Sequence, residues 1–402
     1  MEPCCVGAWN LGKDEPVTYD FDRVIDRRWT ESNKWHKYPA DVLPLWVADM
    51  DFRSPEPVIR ALRERVEHGV FGYGAAQPEF HEVFLERLQK RYGWRVSPEA
   101  ILLIPGVIPG FNLAARAFTT SGDGLLLQTP MYPPIRRVPD NVGLSSDEME
   151  LTRLPDGRYT IDVDRFEAAI GARTRMFLLC NPHNPVGRAY GRDELERMAE
   201  VCLRRGLLIC ADEIHCDLTY SGQRHIPIAS LDPEIEARTV TLMAATKTFN
   251  LPGLKCSVAI IPNAALREKF VAAQLDLVRA VNILGYTATL AAYRDGQPWL
   301  DELLRYLEGN RDFVVGYVRS KLPGVGTAPP EATYLAWLDC RDARLPDDDP
   351  YTFFLDRARV ALNDGRTFGR GGAGFVRLNF ACPRVILAEA LDRMRYALER
   401  RA

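Results

Sequence analysis

The stretch MFLLCNPHNPVG, residues 176–187, decides the fold. Its apolar residues run without alternation from Met176 to Cys180, and a polar turn rich in Asn and Pro follows at once. An uninterrupted apolar run of this length is a strand covered on both faces, so it belongs to a mostly parallel sheet with helices on either side. Outward from it the same pattern recurs in ILLI (101–104), LLLQ (125–128), LLICA (207–211), TVTLMA (239–244) and SVAII (257–261). Helical periods lie outside and between these runs. After Pro57, Val58, Leu62 and Val66 share one face, and further on Phe80, Phe84 and Leu88 repeat the spacing.

Past about residue 295 the pattern changes, and Gly296-Gln297-Pro298 is a turn signal at the change. An amphipathic helix (299–320), YLAWLD (334–339), a helix near 351–361, FVRLNFA (375–381) and a terminal helix (384–400) read as a smaller α+β unit. The first 55 residues carry many Trp, Asp and Pro and few helical periods, which reads as an arm that joins this smaller unit. The expected organisation is an α/β chain: arm 1–56, large domain 57–296, small domain 297–402.

Composition narrows the function. Of 402 residues, 47% are hydrophobic and 26% charged, and the formal net charge is −3. Binding nucleic-acid phosphates or an anionic membrane calls for a basic excess that is missing here. No run approaches the ~20 apolar residues of a membrane span. The N-terminal segment has neither the basic nor the apolar region of a secretory signal. Nine cysteines with no CxxC pair give no zinc or dithiol motif. Cys4 and Cys5 read as free thiols, and Cys180, Cys202, Cys210, Cys256 and Cys382 as small hydrophobes. The expectation is a cytoplasmic protein with a small-molecule substrate, no metal, no nucleic acid and no membrane.

Ligands of such sheets bind beyond the carboxyl ends of the strands. There the sequence sets Pro105-Gly106-Val107-Ile108, the turn 181–187 with Asn184, Asp212-Glu213-Ile214-His215, and Thr246-Lys247-Thr248. A desolvated lysine is a neutral amine able to form a Schiff base. The Gly106–Ile108 turn offers backbone N–H groups to a phosphate, Asp212 can keep a ring nitrogen protonated, Asn184 can donate to a phenolic oxygen, and Tyr132 can stack on a ring. Together they fit pyridoxal 5′-phosphate.

Tyr132, NPHNPVG, DEIH, the lysine of ATKTFN and the arginine of FVRLNFA, in that order, resemble the fold-type I superfamily of aminotransferases. YDFDRVIDRRWTESNKW, LPLWVADMDF, VEHGVFGYG, DEIHCDL and TKTFNLPGLK further resemble its MalY/PatB-type cystathionine β-lyase branch, the cysteine-S-conjugate C–S lyases. The resemblance implies Lys247 as the Schiff-base lysine and proton shuttle, Asp212 on the pyridine nitrogen, Asn184 on the phenolic oxygen, and Tyr132 on the ring. It implies Gly106, Val107 and Ile108 as the phosphate turn, with Thr246, His215 and Lys255 as further cofactor contacts. Arg377 falls where the family holds the substrate carboxylate, with Ala48 nearby. Tyr73 resembles a tyrosine lent to the neighbouring site of a homodimer.

The match has departures. Ala244 stands where the superfamily often has Ser or Gly, and Lys255 where it often has Arg. Gly74–Gln77 and Tyr190 are unusual for the branch and are candidates for the substrate entrance. Plainer readings stand beside these: Tyr73 and Tyr132 as packing aromatics, His215 as a core hydrogen-bonder, Arg377 in a structural ion pair, His183 as a loop residue. GRGGAG (369–374) fits the dinucleotide pattern G-x-G-x-x-G, but it precedes a strand where that fingerprint must follow one, so it reads as a loop presenting Arg377. The implied reaction is β-elimination from an S-substituted L-cysteine to thiol, pyruvate and ammonia. Transamination, oxidative or decarboxylating deamination of an S-conjugate, and a catalytically idle regulator are the alternatives.

Overall fold

The computed structural model describes residues 19–278, 280–345 and 348–401; Cys4 and Cys5 lie outside them. Seven strands form the main sheet: β1 (Ile101–Ile104), β2 (Gly124–Thr129), β3 (Ser145–Glu150), β4 (Thr174–Cys180), β5 (Leu208–Asp212), β6 (Thr239–Met243) and β7 (Ser257–Ile260). Their order is β1-β7-β6-β5-β4-β2-β3. Neighbouring strands are parallel from β6 through β3, while β7 runs antiparallel to both β1 and β6. β2, β6 and β7 are buried at every position, which is why their sequences are mostly apolar, with Gln128, Ser257 and three threonines as the polar members.

β3 was not legible as a strand. Its sequence, SSDEME, is polar because it forms the sheet edge and is partly open to solvent; charge on an edge also discourages pairing with another chain.

The second sheet is antiparallel and holds β8 (Leu335–Asp339), β9 (Asn363–Asp364) and β10 (Phe375–Asn379), in the order β8-β10-β9. The long helix Gln297–Lys321 and the terminal helix Arg384–Glu399 pack beside it. The helix expected near 351–361 ends early. Pro350–Phe353 runs into a π-helical turn, Phe354–Ala358; Arg359 then takes a left-handed conformation at φ 55°. Val360–Ala361 becomes a strand parallel to Leu43–Pro44, and both of its residues are fully buried. Pairing with the N-terminal segment overrides the helical period there.

One core cluster joins Phe21, Leu45, Met50 and Phe52 to Trp299, Leu338, Val376 and Met394, so the N-terminal segment packs against the second sheet and its helices. The GRGGAG loop precedes β10. Its Gly372 lies so near Gly365 that an added Cβ would meet the Gly365 carbonyl oxygen at 2.0 Å, and this close backbone approach accounts for the glycine. No helix among the described residues is long and apolar enough to cross a membrane.

Candidate active site

The carboxyl ends of β1, β4, β5 and β6 open on one cavity of 370 Å³. Because β7 is antiparallel, its amino end comes to the same edge and brings Lys255 there, in a left-handed turn at φ 49°. The cavity is the meeting point of segments far apart in sequence.

Lys247 lies in the short helix Ala245–Thr248 that follows β6. Its Nζ donates to the Ala48 carbonyl oxygen at 2.5 Å. Burial, reinforced by the Arg377 guanidinium, lowers its pKa to about 8, against the opposing pull of Asp49 and Asp212. Asp212 ends β5. Its Oδ1 accepts one hydrogen bond, from the Ile214 N–H at 3.1 Å. Burial lifts its pKa to about 7, although that N–H and Lys247 act the other way. A buried carboxyl this poorly compensated favours either its own proton or a cationic N–H group supplied from the cavity.

Arg377 occupies the middle of β10 and is 3% exposed. Nη1 donates to Asn184 Oδ1 at 2.8 Å, and Nη2 donates to the Trp46 carbonyl at 3.0 Å and to Asn363 Oδ1 at 2.5 Å. Nε has no partner, and no carboxylate among the described residues lies within ion-pair distance. The structural ion-pair reading is therefore not met. Burial pushes the guanidinium pKa down to about 10, the mark of a cation without its anion. A guanidinium cannot accept, so Asn184 must present its oxygen to Arg377, which leaves its NH₂ group as the free donor.

The helix Val107–Phe118 begins at the cavity behind Gly106, whose φ of 151° suits glycine. The N–H groups of its first turn have no partner within the helix and favour an anion. Tyr132, Thr246 and His215 also line the cavity. His215 is buried, its Nδ1 has no partner, and burial holds its imidazole neutral with a pKa far below the usual value. It packs edge-on to Tyr334 at 5.8 Å between ring centres.

Five expected residues fall elsewhere. Tyr73 is fully exposed, outside the cavity. Gly74, Ala75 and Ala76 line a different cleft with Ile283 and Tyr286. Tyr190 does not stand at the entrance: it is 1% exposed, and its hydroxyl meets His183 Nδ1 at 3.1 Å. His183 itself is fully buried, with Nε2 2.9 Å from the Pro130 carbonyl oxygen.

Sequence reading missed Tyr334 and Asn363. Tyr334 donates to the Ala48 oxygen at 3.0 Å, and Asn363 is the cross-strand neighbour of Arg377. The available signal was Tyr334's place just ahead of the LAWLD strand, which pairs with β10.

The family model for aminotransferase class I and II matches residues 40–394. Cystathionine beta-lyase PatB of Bacillus subtilis is 39% identical over 386 residues, covering 94% of this chain and all of PatB. Among solved structures, OvoB superposes with a TM-score of 0.90 at 44% identity, covering 94% and 99% of the two chains. Cystalysin of Treponema denticola, which contains a pyridoxal 5′-phosphate cofactor, superposes with a TM-score of 0.92 at 32% identity, covering 96% and 100%. The chain belongs to the aminotransferase class I and II family.

Proposed function

We propose that this chain is a pyridoxal 5′-phosphate-dependent C–S lyase that releases thiol, pyruvate and ammonia from an S-substituted L-cysteine. One observation carries the reading. A buried amine, Lys247, lines one cavity together with a helix N-terminus, and a buried guanidinium without an anion, Arg377, stands behind the cavity wall with its Nη1 on the lining residue Asn184. The names of PatB and other cystathionine beta-lyases among its relatives supply the direction of the chemistry.

The cavity fits the cofactor. Asp212 lacks a cationic hydrogen-bond partner and would hold the ring nitrogen; the first turn from Val107, with Thr246 and Lys255, would hold the phosphate. Asn184 NH₂ and Tyr132 would meet the ring. Ala244 removes one hydroxyl from that set, and Lys255 serves as a point charge where an arginine would be a fork. Bound there, the cofactor supplies an electron-withdrawing ring that stabilises negative charge at the substrate Cα.

The protein's own groups do the rest. Arg377 receives the α-carboxylate, with Asn184 and Asn363 fixing the plane of its fork. Lys247 Nζ, as a neutral amine, removes the Cα proton. The Cβ–S bond then breaks with its electron pair leaving on sulfur, and hydrolysis yields pyruvate and ammonia. Among the described residues lining the cavity the cations are Lys247 and Lys255. With no arginine in that lining to add to Arg377 behind it, a dicarboxylate substrate is disfavoured, and with it a dicarboxylate aminotransferase.

The protein acts in the cytoplasm as a homodimer in which Tyr73 reaches the partner's cavity. Its full exposure beside exposed Val70 and Phe71 supports that placement. The described cysteines are all free and buried, in keeping with a reducing compartment. The chain divides into the arm 1–56, the cofactor-binding unit 57–296 and the unit 297–402 that bears Arg377.

Two outcomes follow at the site. Burial holds the free Lys247 amine near pKa 8, so kcat, which reads the lysine once substrate has displaced it, should fall as pH drops below about 8 and level off above it, because only the unprotonated amine accepts the Cα proton. A flat profile from pH 6 to 9 contradicts the base assignment. Arg377→Lys should lower kcat/KM by roughly 10²–10³, chiefly through KM, since a lysine lacks the bidentate fork.

The defining test incubates the cofactor-loaded protein with L-cystathionine and with bulkier cysteine S-conjugates. Equal amounts of thiol, pyruvate and ammonia are expected. Accumulation of pyridoxamine phosphate with the C–S bond intact would make the protein an aminotransferase.

A further inference from the structure

The carbonyl oxygens of residues 46–50 each receive a side-chain donor. Arg377 donates to Trp46, and Asn379 to Val47 at 2.7 Å. Lys247 and Tyr334 both donate to Ala48. Asn379 donates to Asp49 at 2.7 Å and Lys34 donates to it at 3.2 Å; Arg27 and Asn250 donate to Met50. Five successive backbone acceptors are thus tied to the second sheet, to the N-terminal segment and to the turn three residues past Lys247.

Ion pairs anchor the segment from outside. Lys34, whose side chain is fully buried, meets Asp51 at 2.6 Å, and Arg27 spans Asp49 and Asp51. Asn379 is fully buried; its two amide hydrogens bridge the carbonyls on either side of Ala48, and its Oδ1 accepts the Ala381 N–H. With both flanking peptides fixed, the Ala48 carbonyl has one direction left, toward Lys247.

We propose that the backbone of residues 46–50 is a strut that sets the resting place of the free Lys247 amine, and that Tyr334 is the positioning residue sharing its acceptor. This rests on the reading of Lys247 as the reactive amine. A carbonyl oxygen has two lone pairs, and the Tyr334 hydroxyl takes one while Lys247 takes the other. Tyr334 is 1% exposed, and burial raises its phenol so that it stays a protonated donor. By drawing on the carbonyl, that hydroxyl limits how well the oxygen stabilises an ammonium, and so favours the neutral amine.

The ionisable groups around the amine are Asp49 on the strut, Asp212 at the end of β5, His215, Arg377 on β10, Tyr132 and Tyr334 itself. Tyr334→Phe leaves the others in place and removes one donor, so the carbonyl bonds the ammonium more strongly and the Lys247 pKa rises.

The test is the pH dependence of Lys247 acetylation in the full-length chain freed of cofactor, read by peptide mass spectrometry. Capture of added pyridoxal phosphate, followed by absorbance, is the second readout. Tyr334→Phe should move both midpoints upward by about 0.5–1 pH unit. Tyr159→Phe removes a buried hydroxyl that meets Trp337 Nε1 instead, and should leave both midpoints where they are. An unmoved midpoint in Tyr334→Phe, or an equal shift in Tyr159→Phe, overturns the strut. Neither result touches the lyase reading, which fails only if the unaltered protein releases no thiol.

Discussion

Lys247→Ala is expected to lower pyruvate release from an S-substituted cysteine by about four orders of magnitude or more, because the substitution removes both the covalent anchor and the proton acceptor. The fold should survive. The side chain is buried at a cost, as its depressed pKa shows, and its one hydrogen bond is to a carbonyl that Tyr334 continues to satisfy. The measurement is pyruvate release under saturating cofactor, with circular dichroism to establish that the variant is folded. Activity within tenfold of the unaltered protein would remove Lys247 from the mechanism.

Asp212→Asn should move activity and stability in opposite directions. Activity falls by about 10³-fold, since an amide cannot hold a proton on a ring nitrogen and the electron sink weakens. Stability of the cofactor-free chain rises above neutral pH. The folded carboxyl has its pKa raised to about 7 from an ordinary 3.8, so its stabilising contribution is full below about pH 4 and is lost as pH climbs through 7. At pH 8 the buried carboxylate is therefore a penalty of up to a few kcal/mol, at about 1.4 kcal/mol per pKa unit, and asparagine removes it. Thermal melts of the cofactor-free proteins at pH 5 and pH 8 check this: the variant's advantage should be clearly larger at the higher pH. Equal melting temperatures at pH 8 would show that Asp212 is not held against its charge.

The parts of this site that sequence made legible are those fixed by strand ends. An apolar run followed by a polar turn locates Asp212, Asn184 and Lys247 at the same edge, because parallel strands bring their carboxyl ends together. Arg377 needed the family resemblance, since nothing in FVRLNFA alone says that its guanidinium reaches Asn184 at the cavity wall. Tyr334, Asn363 and Asn379 were not legible, for their roles come from cross-strand register and from a carbonyl 286 residues away in the case of Tyr334. Tyr190 misled because an unusual residue beside a site motif was taken for a lining residue, when its hydroxyl serves the buried His183. The β3 strand and the Val360–Ala361 strand were hidden for one reason: pairing geometry, not hydrophobic period, makes them strands.

The most direct test of the central claim is borohydride reduction of the holoprotein, followed by peptide mapping. A visible absorbance band that borohydride abolishes, with one pyridoxyl adduct on the peptide carrying Lys247, is the predicted result. An adduct on Lys255 or another lysine, or a chain that holds the cofactor with no reducible linkage, would contradict it.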